Sequence, residues 1–435
     1  MMCSTRGLYG LALIAAFTAL PAGAATTEQL LYSLATHSGD GSMPYYSGVV
    51  SDGAGHLYGT TLEGGAQGQG AVFRLTRGTD GYIEDIIWSF AGGSGDGSEP
   101  VAGLIRLPTG ALIGTTEFGG AGNCSGGCGV VFELLPPAGR LASWQEIIIH
   151  DFAGAAQQDG ATPIGTLFQR ATGEIIGTTA AGGTGTVAGA NGAGMVFSLI
   201  PPSLANGAWT ETIVHNFAGG TTDGAVPFSG VIHKHGAFYG TTFEGGSTGC
   251  GLGCGAVYQL LPPAVTGGTW EESMIYAFRG SPTDGDGPYV DLVAGASGTL
   301  YGTTTEGGSG TCTNGCGTVF QLVPGTTGWT ESLLVDFANQ AQGQNPFSPL
   351  SMSPMGQLIG TTANGGRHGA GNVFSLGPAN SSGARTFTDI YDFAGGTTDA
   401  ALPAGPLVLT DVGAIIGTSQ SGGTASKGTV YRIRP

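Results

Sequence analysis

Charge of either sign is scarce, and basic residues scarcest: 13 Lys and Arg stand against 30 Asp and Glu in 435 residues, a formal net charge of −17. A nucleic-acid partner is excluded on this count, because a basic footprint supplies most of that affinity. Electrostatic docking on an anionic membrane is disfavoured for the same reason. No segment carries a sustained i, i+3, i+4, i+7 apolar pattern of helical length, so the chain does not read as helical. Past the first two dozen residues no long apolar run occurs, so no membrane span is expected. Gly-x-Ser-x-Gly elbows, phosphate-binding loops and zinc-protease helices are also missing.

What is plentiful is glycine, 85 residues in all. Residues 1–24 stand apart from the rest. Arg6 gives a short positive start, Leu8 to Leu20 an apolar run, and Ala22-Gly23-Ala24 small residues suited to cleavage. This reads as a secretory signal peptide cleaved near Ala24, with residues 25–435 forming one domain secreted to the periplasm or cell exterior.

The domain is organised around Leu57-Tyr58-Gly59-Thr60-Thr61. The stretch returns around Gly114, Gly177, Gly240, Gly302, Gly360 and Gly417, at intervals of 55, 63, 63, 62, 58 and 57 residues. A fixed period of this kind marks one supersecondary unit stacked on its neighbours. Runs rich in Val, Ile, Thr, Tyr and Phe, separated by Gly, Pro, Asp and Asn, read as strands. In the fourth copy the four runs are Thr210–Phe217, Pro227–His233, Ala237–Thr242 and Ala256–Leu261. A glycine inside a strand marks the close approach of another backbone, as where strands converge in a radial array. The acidic residue on the aromatic-led run (Glu84, Glu146, Glu211, Glu272, Glu331) suits an outer edge, where it discourages pairing with other chains.

Four strands per unit match a propeller blade, and seven copies give an all-β, seven-bladed β-propeller. The last copy, Gly428–Ile433, has no fourth run after it. Gln29-Leu30-Leu31-Tyr32-Ser33-Leu34 resembles Glu211–Phe217 and supplies the missing strand, closing the ring.

Gly-Thr-Thr followed by Gly-Gly and then Gly-x-Val-Phe resembles the GloVer tandem-repeat family of exported bacterial proteins, over nearly all of residues 29–433. The resemblance implies export and a repeated, propeller-like fold, and it implies no established activity. Many members carry a C-terminal sorting anchor; this chain ends at Arg434-Pro435 without a recognisable one. The strand order is also similar to that of NHL-type and gluconolactonase-like propellers, a likeness of fold that transfers no function.

Six cysteines fall in pairs, Cys124 and Cys128, Cys250 and Cys254, Cys312 and Cys316, each in a loop four residues longer than the shortest ones. An exported chain meets oxidising conditions, so each pair reads as a local disulfide. Metal binding would need four converging ligands, and the three pairs belong to blades that do not all adjoin.

The loop Phe-Ala-Gly-Gly-x-x-Asp-Gly-x-x-Pro repeats with Asp40, Asp96, Asp159, Asp223, Asp284 and Asp399, and with Gln342 in the sixth place. Such an Asp reads as a turn residue accepting backbone N–H groups. Calcium at Asp284 and Asp286 is the weaker alternative, since the full calcium-loop spacing is absent. Otherwise no cofactor is expected.

In this topology the fourth-to-first and second-to-third loops share one face. That face is expected to carry Glu63, Glu117, Glu244, Glu306, Arg279, Arg367 and His368, a candidate funnel for binding. His233-Lys234-His235 reads as a turn on the opposite face. The expected function is an exported, monomeric, non-catalytic binding or surface-interaction protein with a glycan or extracellular protein as partner. The alternative is an extracytoplasmic propeller enzyme, a lyase or hydrolase acting on carbohydrate or lactone substrates in the central funnel.

Overall fold

The structure, a computed structural model, describes residues 26–139, 142–187, 191–203, 207–265, 268–381 and 383–435. The expected signal peptide lies outside the described residues.

The plan of every sheet is set by a glycine opposite an aromatic ring. Gly59 is in register with Phe73, Gly177 with Phe197, Gly240 with Tyr258 and Gly417 with Tyr431. A Cβ on Gly177 would stand 2.5 Å from Cζ of Phe197, so only glycine leaves room for the ring. The rings themselves are fully buried. The expected close approach of a second backbone occurs one strand further in. A Cβ on Gly165 would lie 2.7 Å from the Ser229 carbonyl oxygen, and one on Gly48 2.6 Å from that of Pro406. Each of these is on the adjacent blade, so the crowding at the axis belongs to the first run.

Among the described residues seven antiparallel blades of four strands result, arranged as a β-propeller, the seventh with Ala400–Pro403 added to its sheet. Blade 3 is typical: Phe168–Gln169, Ile175–Thr179, Met195–Ile200 and Thr210–Asn216, from axis to rim. The run at 210–217 is therefore the outer strand of blade 3, not a member of the fourth unit. It follows Met195–Ile200 and pairs with it antiparallel, from Ile200↔Thr210 to Met195↔Asn216. In blade 7 the outer place is taken by Thr27–Ser33, paired with Thr429–Arg434 from Thr27↔Arg434 to Ser33↔Thr429. The first strand of the chain closes the ring on the last, as the sequence predicts.

The two threonines of Gly-Thr-Thr have separate tasks. The first reaches across to the next blade: Thr60 Oγ1 donates to the Ala102 carbonyl at 2.8 Å and Thr178 Oγ1 to that of Ser229 at 2.7 Å. The second holds its own turn, as Thr116 Oγ1 does on the Phe118 carbonyl at 2.8 Å.

The apolar core lies between blades. Phe217, at the end of blade 3's outer strand, meets Tyr258 of blade 4 edge to face with centroids 5.0 Å apart, and Phe152 meets Phe197 in the same way at 5.1 Å. Burying rings of this size supplies most of the adhesion between wedges. Among the described residues the helical turns are Gly93–Gly95 and Ala155–Gln157, and no helix is long and apolar enough to cross a membrane.

The cysteine pairs form the three expected disulfides, Cys124–Cys128, Cys250–Cys254 and Cys312–Cys316. Each closes a loop on the face that also bears the fourth-to-first connections.

Candidate functional site at the axial mouth

The connection entering each blade brings one residue to the axis just after a proline. The residue before that proline has positive φ in every blade: Met43 57°, Glu99 56°, Thr162 59°, Val226 55°, Gly287 62°, Asn345 53° and Leu402 56°. For side chains other than glycine this costs of order 1–3 kcal/mol apiece. The bend turns each N–H toward the preceding blade, as with Thr162 to the Cys128 carbonyl at 2.9 Å and Val226 to that of Ala193 at 2.8 Å. It also turns the following chain inward, so a ring of strained residues surrounds the mouth.

Because the residues after the prolines differ, the mouth is not symmetric. Tyr45, Tyr46, Phe228, Tyr289 and Phe347 gather there from blades 1, 4, 5 and 6, joined by Phe243. Phe228 stacks on Tyr289 with centroids 4.3 Å apart, and Tyr289 meets Phe347 at 5.2 Å. Tyr46 lies 4.9 Å from Tyr289. All six rings are half-buried. Below them is a narrow axial cavity of about 20 Å³, room for about one water. Asp291, beside this cavity, accepts the Gly230 N–H at 2.6 Å and the Thr166 hydroxyl. Burial pushes its carboxyl above the ordinary range, against those two donors.

Blade 2 adds two carboxylates. Glu117 donates its N–H to the Glu99 carbonyl at 3.0 Å. Burial, with the Glu99 charge beside it, pushes the Glu117 carboxyl up to about 7. The Glu117 charge also reaches Tyr289, whose phenol is pushed up to about 12, chiefly by burial.

Of the residues expected on this face, Glu117 alone joins the mouth. Glu63 is at the rim, in an ion pair with Lys427 at 3.1 Å. Glu244 lies opposite Ala225 in a short ribbon and Glu306 opposite Asp286 in another. Arg367 is 79% exposed and pairs with Asp392 at 3.1 Å, while Arg279 and His368 are exposed on their loops. Among the described residues, no hydrogen bond or ion pair joins any two of the seven. Asp284 accepts the Arg279 and Gly285 N–H groups at 3.0 and 2.7 Å and the Tyr276 hydroxyl at 2.8 Å, the work of a turn residue. Asp286 is pushed up to about 6 by burial and by Glu306. On the opposite face, exposed His233 lies 4.9 Å from the Phe238 ring.

The aromatic residues and Glu99 were not legible as a site in the sequence. The available signal was the pair Pro-aromatic at 44–45, 227–228, 288–289 and 346–347, which the repeat comparison passes over because the position varies.

A second constellation runs along the seams between blades. The glutamates expected at an outer edge are half-buried and face the loop aspartate of the preceding blade. Burial, joined by the facing Asp40, lifts Glu84 to about 8; Asp96 does the same to Glu146 and Asp399 to Glu28. Both groups come from fixed positions around the outer-strand Phe, so their pairing follows from the repeat. The seam between blades 5 and 6 departs from the pattern at both places at once. Gln342 replaces the aspartate, and Phe387 replaces the glutamate and stacks on Phe374 at 5.7 Å. Gln342 keeps the turn, its Oε1 accepting the Ala338 N–H at 3.0 Å.

The sequence matches the Gloeobacter/Verrucomicrobia repeat over residues 2–253 and 252–435. No curated protein matches it. Among solved structures, an ancestral GH74 enzyme is similar with a TM-score of 0.56 and 11% identity, over 91% of this chain and 48% of that one. This chain thus spans about half the length of that relative. A polysaccharide lyase of family PL25, an ulvan lyase, is similar with a TM-score of 0.54 and 9% identity, over 93% and 98% of the two chains. A 6-phosphogluconolactonase-like protein from Bacteroides uniformis reaches 0.46 at 13% identity, over 79% and 82%. For the first two, at these identities, the likeness is one of fold.

Proposed function

The chain belongs to the Gloeobacter/Verrucomicrobia repeat family, and from that premise we propose that it is an exported, non-catalytic binding protein whose axial mouth takes a glycan. Three disulfides fit an oxidising compartment. The observation that carries the reading is the one-sided cluster of half-buried rings around Tyr289, flanked by Glu99 and Glu117. Sugar rings offer apolar C–H faces to aromatic side chains and hydroxyls to carboxylates, and a concave, mostly apolar site with few polar groups is how such ligands are held. The strained residues encircling this mouth add weight, since strain gathers where structure serves binding. Screening the purified chain against an array of acidic and neutral polysaccharides tests the proposal. Retention of at least one glycan, lost in Tyr289→Ala, is the expected result; no retention, or a Tyr289→Ala protein that binds as before, removes it.

One observation favours a second reading, a lyase or hydrolase. A carboxyl pushed up to about 7 at the mouth, as in Glu117, suits a proton donor. Turnover of a bound glycan, abolished by Glu117→Gln with binding intact, selects this reading over the first.

A further inference from the structure

We propose that the seams between blades 2 and 3 and between blades 3 and 4 are two divalent-cation sites of the zinc type, His150–Asp159–Glu211 and His215–Asp223–Glu272. In each, the three ligand atoms lie within 4.8 Å of one another. His150 Nε2 is 3.6 Å from Asp159 Oδ2 and 3.5 Å from Glu211 Oε1, and His215 Nε2 is 3.4 Å from Asp223 Oδ2. These separations are too long for good N–H···O hydrogen bonds. They match the edges of a tetrahedron around zinc, about 3.3–3.6 Å for metal–ligand bonds of about 2.0–2.2 Å.

Independent support comes from unmet atoms. Among the described residues His150 Nε2 and His215 Nε2 are shielded from solvent with no hydrogen-bond partner, and each faces an unmet glutamate oxygen, Glu211 Oε1 or Glu272 Oε1; that oxygen is unmet at Glu28, Glu84, Glu146 and Glu331 as well, so the imidazoles are what set these two seams apart. Four such atoms in two adjacent seams are an expensive arrangement unless something fills the space between them. The aspartates are already oriented: Asp159 accepts the Ala153 and Gly160 N–H groups at 2.7 and 2.6 Å, and Asp223 those of Ala218 and Gly224 at 2.7 Å each. Backbone donors of this kind fix a ligating carboxylate. In two other seams a tyrosine stands in the histidine's place and meets the aspartate directly. Tyr276 donates to Asp284 at 2.8 Å and Tyr391 to Asp399 at 3.2 Å.

Three protein ligands leave the fourth zinc position for water, and the side chains of His150, Asp159 and Glu211 are 17%, 14% and 20% exposed, so the site lies close beneath the surface. The disulfide-bonded cysteines do not compete.

The test is zinc content of the untagged purified chain after loading and dialysis, read by elemental analysis, together with the thermal midpoint with and without added zinc. About two zinc ions per chain and a raised midpoint are expected. His150→Tyr and His215→Tyr, which reproduce the Tyr276 seam and so should fold, each remove about one ion, and the double variant loses the midpoint response. Wild-type protein that retains no zinc and shows no shift, or a folded double variant that still retains two ions, overturns the proposal.

Discussion

Thr418 Oγ1 donates a hydrogen bond to the carbonyl of Ser47 at 2.5 Å, across 371 positions of sequence. It is the same latch that Thr60 throws to Ala102 and Thr178 to Ser229, here spanning the junction between the last blade and the first. Thr418→Val keeps the shape and removes the donor, leaving a buried carbonyl unmet. The expected loss is about 1–3 kcal/mol in chemical denaturation. Thr178→Val should cost a similar amount; an unchanged midpoint in both would show that the latches contribute nothing.

Stability should fall as pH rises from 4.5 to 8. The folded pKa values of Glu28, Glu84 and Glu146, about 8, stand above the ordinary 4.5, so across that window the native chain holds protons that the unfolded chain has released. Their stabilisation is complete below the lower value and lost as pH passes the upper one. Thermal midpoints at pH 5.5 and 8.5 should therefore differ in favour of the acidic sample. Replacing all three by Gln should shrink the difference without abolishing it, since Glu117 and Asp286 are raised as well, and a midpoint that rises toward pH 8.5 contradicts the seam reading.

At the mouth, ring removal should act on binding rather than on folding. Phe228→Ala and Tyr289→Ala each remove one partner of the stacked pair and should weaken retention of the selected glycan roughly tenfold, the scale on which truncating an aromatic anchor acts. Arg367→Ala and His368→Ala, exposed at the rim, should leave affinity unchanged in the same titration. Equal losses in all four would place the ligand elsewhere.

Gly177→Ala brings a methyl group to 2.5 Å from the Phe197 ring and should cost about 1–3 kcal/mol or more. Tyr258→Phe and Tyr431→Phe go the other way. Both hydroxyls are buried without a partner among the described residues, so their removal should be neutral or stabilising in thermal unfolding.

Opening one Cys-x-x-x-Cys ring should matter less. With Cys312 and Cys316 both replaced by Ser, a loss of about 1–3 kcal/mol at most is expected, because so short a loop constrains the unfolded chain little. Fluorescence-monitored denaturation would measure it.

Blade number and ring closure were legible because they rest on residues that cannot vary: Gly177 has a ring against it, and Thr27–Ser33 copies the outer strand of the other blades. The reason for the glycine was not legible, since a strand alone does not say whether backbone or side chain approaches it. The seams were half visible. Gln342 stood out as an exception to the loop aspartates, but Phe387 sits 45 positions later and shows its meaning only when the fold sets the two together. Tyr46 and Tyr289 were hidden for the opposite reason: a site made by differences between blades is invisible to a search for what they share.

Thr27 and Arg434 are in-register partners at the rim of one blade. Whatever precedes the one and whatever follows the other must therefore issue from a single corner of the disc. A tether spliced to either end would hang the particle from the same point, leaving both flat sides free to meet a surface.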